Sequence, residues 1–173
     1  MAKLKGYKKL NSAIAAQFAP FGITGAVLST EYSYIYNDSH ITYKITEGDI
    51  EDLWMAEFVA ERFDYKIKNI FIFSLLHEVG HHLANDEIID AIADFCDNEK
   101  IRIGEEMEEN AGDMDIQKKL EWQYFNLPDE IMATQWAVNY AKTHPRKVNK
   151  MWKECEKAFH EFYEKNLDKE ELM

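Results

Sequence analysis

Phe73-Ser74-Leu75-Leu76-His77-Glu78-Val79-Gly80-His81-His82-Leu83 carries two spacings at once. Ile72, Leu76, Val79 and Leu83 recur at i, i+4, i+7 and i+11, which describes a helix with a core-facing apolar stripe. His77 and His81 are four residues apart, so the same helix sets one imidazole above the other on a second face. Two imidazoles so placed can take neighbouring corners of a zinc tetrahedron. Glu78 falls about 100° around the helix from His77, within reach of the water on such a metal without being one of its ligands. Zinc lowers the pKa of that water, and a carboxylate can take its proton as attack begins. Gly80 inside a helix costs about 1 kcal/mol relative to Ala, so its presence predicts a close approach by another backbone.

Outward from this helix, the chain predicts mostly helices and one hairpin. Upstream, Leu4, Tyr7, Leu10, Ile14 and Phe18 recur at helical spacing, with Pro20 and Gly22 closing the helix. The lysines at 3, 5, 8 and 9 precede it, but Asn11, Ser12, Gln17 and Pro20 interrupt the unbroken apolar run of about 7–15 residues that a secretory signal needs. Between Glu31 and Thr46, two runs of alternating aromatic and β-branched residues flank Asn37-Asp38, a turn signal, and predict a β-hairpin. Asp49 stands at an N-cap position before a helix from Ile50 to Phe63.

Downstream, Asn85-Asp86 ends the histidine helix and Glu87 to Cys96 reads as a short helix. Gly104 to Asp115 reads as a solvated acidic loop. Helices follow at Ile116 to Phe125 and from Pro128 to about Thr143, with Pro128 in a first turn where its missing N–H costs nothing. His144-Pro145 breaks the pattern before a last amphipathic helix to about Leu167. About seven helices and one hairpin make the fold class α+β, mostly α. With 173 residues, no internal repeat and no long linker, a single domain spanning 1–173 is expected.

Composition excludes some functions. A formal charge of −12 and a pI near 4.9 deny the chain the basic surface that nucleic-acid binding requires. No run approaches the roughly 20 apolar residues that span a bilayer, so no membrane partner is expected. Cys96 and Cys155 are too few and too far apart for a disulfide framework, and a reducing, cytoplasmic setting is the expectation.

Two histidines alone hold zinc weakly, and three sources of a third ligand present themselves. Glu87 lies six residues after His81, but the turn that would return it begins at Ala84 where a Gly is wanted. Asp90 and Asp94 share a helix face, which fits an aspartate-liganded site, a pair of acceptors for imidazole N–H groups or simply the wet face of that helix. Glu130 shares a stripe with Ala133, Thr134, Ala137 and Ala141, small residues that let its helix come close to the histidine helix. Reach and the small-residue seam favour Glu130. His82, His40 and His160 read as exposed or peripheral, and Trp54, Trp122, Trp136 and Trp152 as core.

With His77-Glu78-Val79-Gly80-His81 and Glu130-x-x-Ala133-Thr134 in view, the chain resembles the gluzincin zinc metallopeptidases. The likeness is to their small members and to the immunity-repressor-cleaving peptidases of bacteria and mobile elements. It covers about the middle third of the chain. The resemblance implies a helical zincin-like domain with a small β-hairpin or sheet above the active-site helix, there to align an extended protein or peptide substrate. It further implies one zinc per chain, with His77, His81 and Glu130 as ligands and Glu78 as general base. Two features depart from the family: the interval from His81 to Glu130 is long, and Thr134 stands where Asp or Asn often accepts a hydrogen bond from a ligand histidine. The family's oxyanion-steadying residue has candidates in Tyr124, Tyr140, His144 and Arg102. Two other functions compete with a peptidase. A zinc-containing binding or regulatory module has no need of Glu78. A zinc amidohydrolase of the deformylase kind takes a Cys ligand from upstream, and no Cys precedes Cys96.

Overall fold

A computed structural model describes residues 6–29, 35–36, 39–44, 50–84 and 90–167. Among these it contains seven α-helices and a three-stranded sheet, an α+β arrangement that is mostly α. The chain divides into two compact units. One joins Met1–Ile45 to Thr143–Met173, and the other is Thr46–Lys142.

In the first unit, α1 (Tyr7–Phe18) buries Leu10, Ile14 and Phe18, the stripe its periodicity predicts. A single 3₁₀ turn through Pro20 follows, and Gly22 ends it at φ 86°, a left-handed conformation open to glycine. Strands β2 (Ile35–Tyr36) and β3 (His40–Tyr43) pair antiparallel, Ile35 opposite Ile41, as the hairpin reading expects. Its turn residues Asn37 and Asp38 lie outside the described residues, as do Leu4, Asp49, Asn85-Asp86 and Glu87. The sequence did not point to β1 (Gly25–Leu28), which pairs parallel to β3 and leaves β3 central. Tyr43 on β3 is fully buried and its phenol donates to Asn11 Oδ1 at 2.6 Å, which ties the sheet to α1. Helix α7 (Pro145–Leu167) buries Met151, Cys155, Phe159 and Phe162, spaced as one helical stripe, and packs along α1.

The second unit is wholly helical among its described residues: α2 (Ile50–Phe63), α3 (Ile70–Ala84), α4 (Asp90–Glu109), α5 (Met114–Phe125) and α6 (Pro128–Thr143). Helix α2 sets Phe58 edge-on against Trp122 of α5, ring centres 5.6 Å apart. Asn69 starts α3 by accepting the Ile72 N–H at 2.8 Å.

Helix α4 corrects the reading of Gly104 to Asp115 as an acidic loop: the helix runs unbroken to Glu109, and only residues 110–113 turn. Cys96, Ile103 and Met107 extend one apolar stripe that packs on Leu120, Tyr124 and Leu127, and this burial outweighs the local cost of Gly104. Arg102 adds ion pairs to Glu99 and Glu106 one turn away on either side. Glu105, Glu108 and Glu109 are exposed, so the stretch is solvated and acidic yet helical. The next helix begins where the Asp113 carboxylate accepts the N–H groups of Asp115 and Ile116.

Candidate metal centre

Helices α3 and α6 meet at Gly80. A Cβ built there would stand 2.5 Å from the backbone oxygen of Ala133 and 2.8 Å from its Cα, so the close backbone approach expected from this glycine is present. Ala133, Thr134, Ala137 and Ala141 are all buried along the seam. In an open helix Gly→Ala would gain about 0.5–1 kcal/mol. Here the methyl group meets backbone that cannot rotate away, and the overpacking cost of about 1–3 kcal/mol decides the sign. Gly80→Ala is therefore expected to lower the urea midpoint of the metal-free protein. An unchanged or raised midpoint would refute the close seam.

The contact brings three donor atoms together. His77 Nε2 lies 3.0 Å from Glu130 Oε2, His81 Nε2 lies 3.0 Å from His77 Nε2, and His81 Nε2 lies 3.3 Å from Glu130 Oε2. Tetrahedral zinc with bonds of about 2.0–2.1 Å holds its donors about 3.3 Å apart, so the triangle has the size of one face of such a site. Among the described residues, this is the group of His, Cys, Asp and Glu side chains whose ligand atoms converge in this way.

The surroundings suit a cation. Thr134 Oγ1 is 3.1 Å from His77 Nδ1, where it would accept that ring's N–H once Nε2 holds a metal. Burial would push the Glu130 carboxyl up, but hydrogen bonds from His77 and His81 hold it well below the usual carboxylate range. Burial would lower His81, and the Glu130 carboxylate raises it instead. Glu78, half-buried beside the pair, is pushed up by burial, an effect that the two histidines oppose. The chemistry of the donors fits a divalent ion of zinc type: two imidazole nitrogens and one carboxylate oxygen, with His77 and Glu130 only 4% and 2% exposed. His81 is 27% exposed and marks the open side.

Of the other candidates, Asp90 and Asp94 are exposed on α4 and stand outside the cluster, and His82 is half-exposed. Tyr124 lies beside Glu130, and burial, then that carboxylate, pushes its phenol up. Arg102 is engaged by Glu99 and Glu106 on the surface, Tyr140 stacks on Trp136, and His144 belongs to the range of the other unit. Two residues that sequence reasoning passed over join the cluster. Lys100 of α4 puts Nζ 2.6 Å from Glu130 Oε1 and 2.5 Å from Asp129 Oδ2. Burial works against its charge, yet Glu130 and Asp129 push its pKa up to about 12. The Asp129-Glu130 doublet at the start of α6 was the available signal for a paired cation.

Comparison with known proteins adds no relative: no family model, curated protein or solved structure matches the chain. No helix among the described residues is long and apolar enough to cross a membrane.

Proposed function

We propose that this chain is a zinc-dependent peptidase of gluzincin type, holding one zinc ion through His77, His81 and Glu130 and acting on protein or peptide substrates. The observation that carries the reading is the donor triangle of 3.0, 3.0 and 3.3 Å, built where α6 meets α3, the helix that also bears Glu78. Bound zinc would polarise the scissile carbonyl and acidify water. Glu78 takes the proton of the attacking water and passes it to the leaving amine. Burial keeps that carboxyl above its ordinary range, which suits a group that must both accept and return a proton. Thr134 fixes the ring of His77, and the exposed flank of His81 gives a substrate its way in.

A zinc site serving only structure closes its shell with four protein ligands, whereas among the described residues three converge and one flank is open. That difference favours catalysis over a binding module. Free, buried Cys96 and Cys155 support a reducing compartment, and we place the activity in the cytoplasm.

The test is a cleavage screen. Protein purified without chelator is expected to carry about one zinc per chain and to cut members of a proteome-derived peptide library. Chelation should stop cleavage and added zinc should restore it. A folded, zinc-loaded protein that cuts nothing in such a library would sink the peptidase reading.

A further inference from the structure

Glu130 has its two oxygens in different company. Oε2 faces His77 Nε2 at 3.0 Å and His81 Nε2 at 3.3 Å, while Oε1 faces Lys100 Nζ at 2.6 Å. The Lys100 contact is an ion pair by distance, without the alignment of a directed hydrogen bond. The ammonium is itself held in place: Asp129 Oδ2 lies 2.5 Å away, and the Tyr124 ring centre lies 5.4 Å from Nζ. Lys100 is therefore gripped by a carboxylate on one side and an aromatic ring on another, with its side chain 25% exposed. Its stem comes from α4, a third helix that supplies nothing else to the donor triangle.

A carboxylate can bind a metal through one oxygen or both. Two-oxygen binding by Glu130 would add a fourth protein donor atom and take up the position that a hydrolytic zinc site keeps open. We infer that Lys100 is a positioning residue that occupies Oε1 of Glu130, confines it to ligation through Oε2, and so keeps the metal's remaining position open. Asp129 and Tyr124 hold the ammonium against that oxygen. Charge points the same way. Asp129 and Glu130 place two negative charges beside one another at 13% and 2% exposure, and Lys100 offsets one of them, so Oε1 is drawn less strongly to a divalent ion.

This inference rests on the metal-site reading above, and the experiment separates the two. Zinc affinity is measured by chelator competition, and the visible spectrum is recorded after cobalt substitution, for wild type, Lys100→Met and Lys100→Arg. Lys100→Met is expected to bind zinc more tightly, because a positive charge leaves the metal's neighbourhood and the second Glu130 oxygen becomes a donor. Its cobalt bands should lose intensity as coordination rises with the second Glu130 oxygen. Lys100→Arg retains a cation for Oε1 and should restore the wild-type cobalt spectrum. If Lys100→Met unfolds, Lys100→Gln, whose shorter stem cannot reach Oε1, should give the same tighter binding and the same spectral change. Wild-type affinity and spectrum in a folded Lys100→Met or Lys100→Gln protein would overturn the role of Lys100 and leave the metal site standing. A wild type that takes up neither zinc nor cobalt would overturn both.

Discussion

Glu78→Gln should leave zinc content and fold intact while lowering turnover of any cleaved peptide by about 10²–10⁴-fold, the range that a positioned general base supplies. The expectation follows from where Glu78 stands. It is the residue after His77 on α3, about 100° around that helix, so it belongs to the cluster without being one of the three converging donors. The amide matches the carboxylate in size, so the packing of α3 should be unchanged. What disappears is the capacity to take a proton from water and deliver it to the leaving amine. Burial already disfavours the charge at this position, so a neutral amide costs the fold little there. Steady-state kcat/KM and metal content, measured on the same preparations, decide the matter. Equal turnover by the two proteins would remove Glu78 from the reaction, and loss of zinc would mean that it serves the ligand set instead.

How much of this centre can be read from the chain depends on how local each signal is. His77, Glu78 and His81 sit within five residues, and helical geometry alone puts them together. Glu130 is far away in sequence, but the seam was written twice, as Gly80 on one helix and as Ala133, Ala137 and Ala141 on the other. Lys100 had no such double mark. It stands between Glu99 and Ile101 where the apolar pattern had been taken to stop at Cys96, and the surrounding acidic residues suggested solvent. The stripe in fact continues through Ile103 and Met107, and its burial against α5 makes the loop a helix. Strand β1 was hidden for a related reason. Gly25-Ala26-Val27-Leu28 has no alternation to announce a strand, and only its pairing with β3 defines it.

Removal of the ligands should give the largest losses, and their ranking tests the assignment of Glu130. Structural zinc sites in small proteins bind with about 10–16 kcal/mol. Shared over three or four ligands, one loss removes several kcal/mol, which at 1.4 kcal/mol per decade is about 10³-fold in affinity. His77→Ala and His81→Ala are expected to fall that far. Glu130 calls for a gentler substitution, because its removal would leave Lys100 partly buried without one of its two carboxylate partners. Glu130→Gln preserves the volume and withdraws the charge, and its affinity should fall by a comparable factor. Thr134→Val, which takes away only the acceptor for His77 Nδ1, should lose about 10–100-fold. Asp90→Ala and Asp94→Ala should bind as wild type, since both side chains are exposed and outside the donor triangle. The measurement is zinc affinity by chelator competition at fixed pH, because the metal competes with protons for imidazole and carboxylate alike. If Asp90→Ala or Asp94→Ala matched the histidine losses while Glu130→Gln kept its zinc, the third ligand would lie on α4, and the seam at Gly80 would serve packing alone.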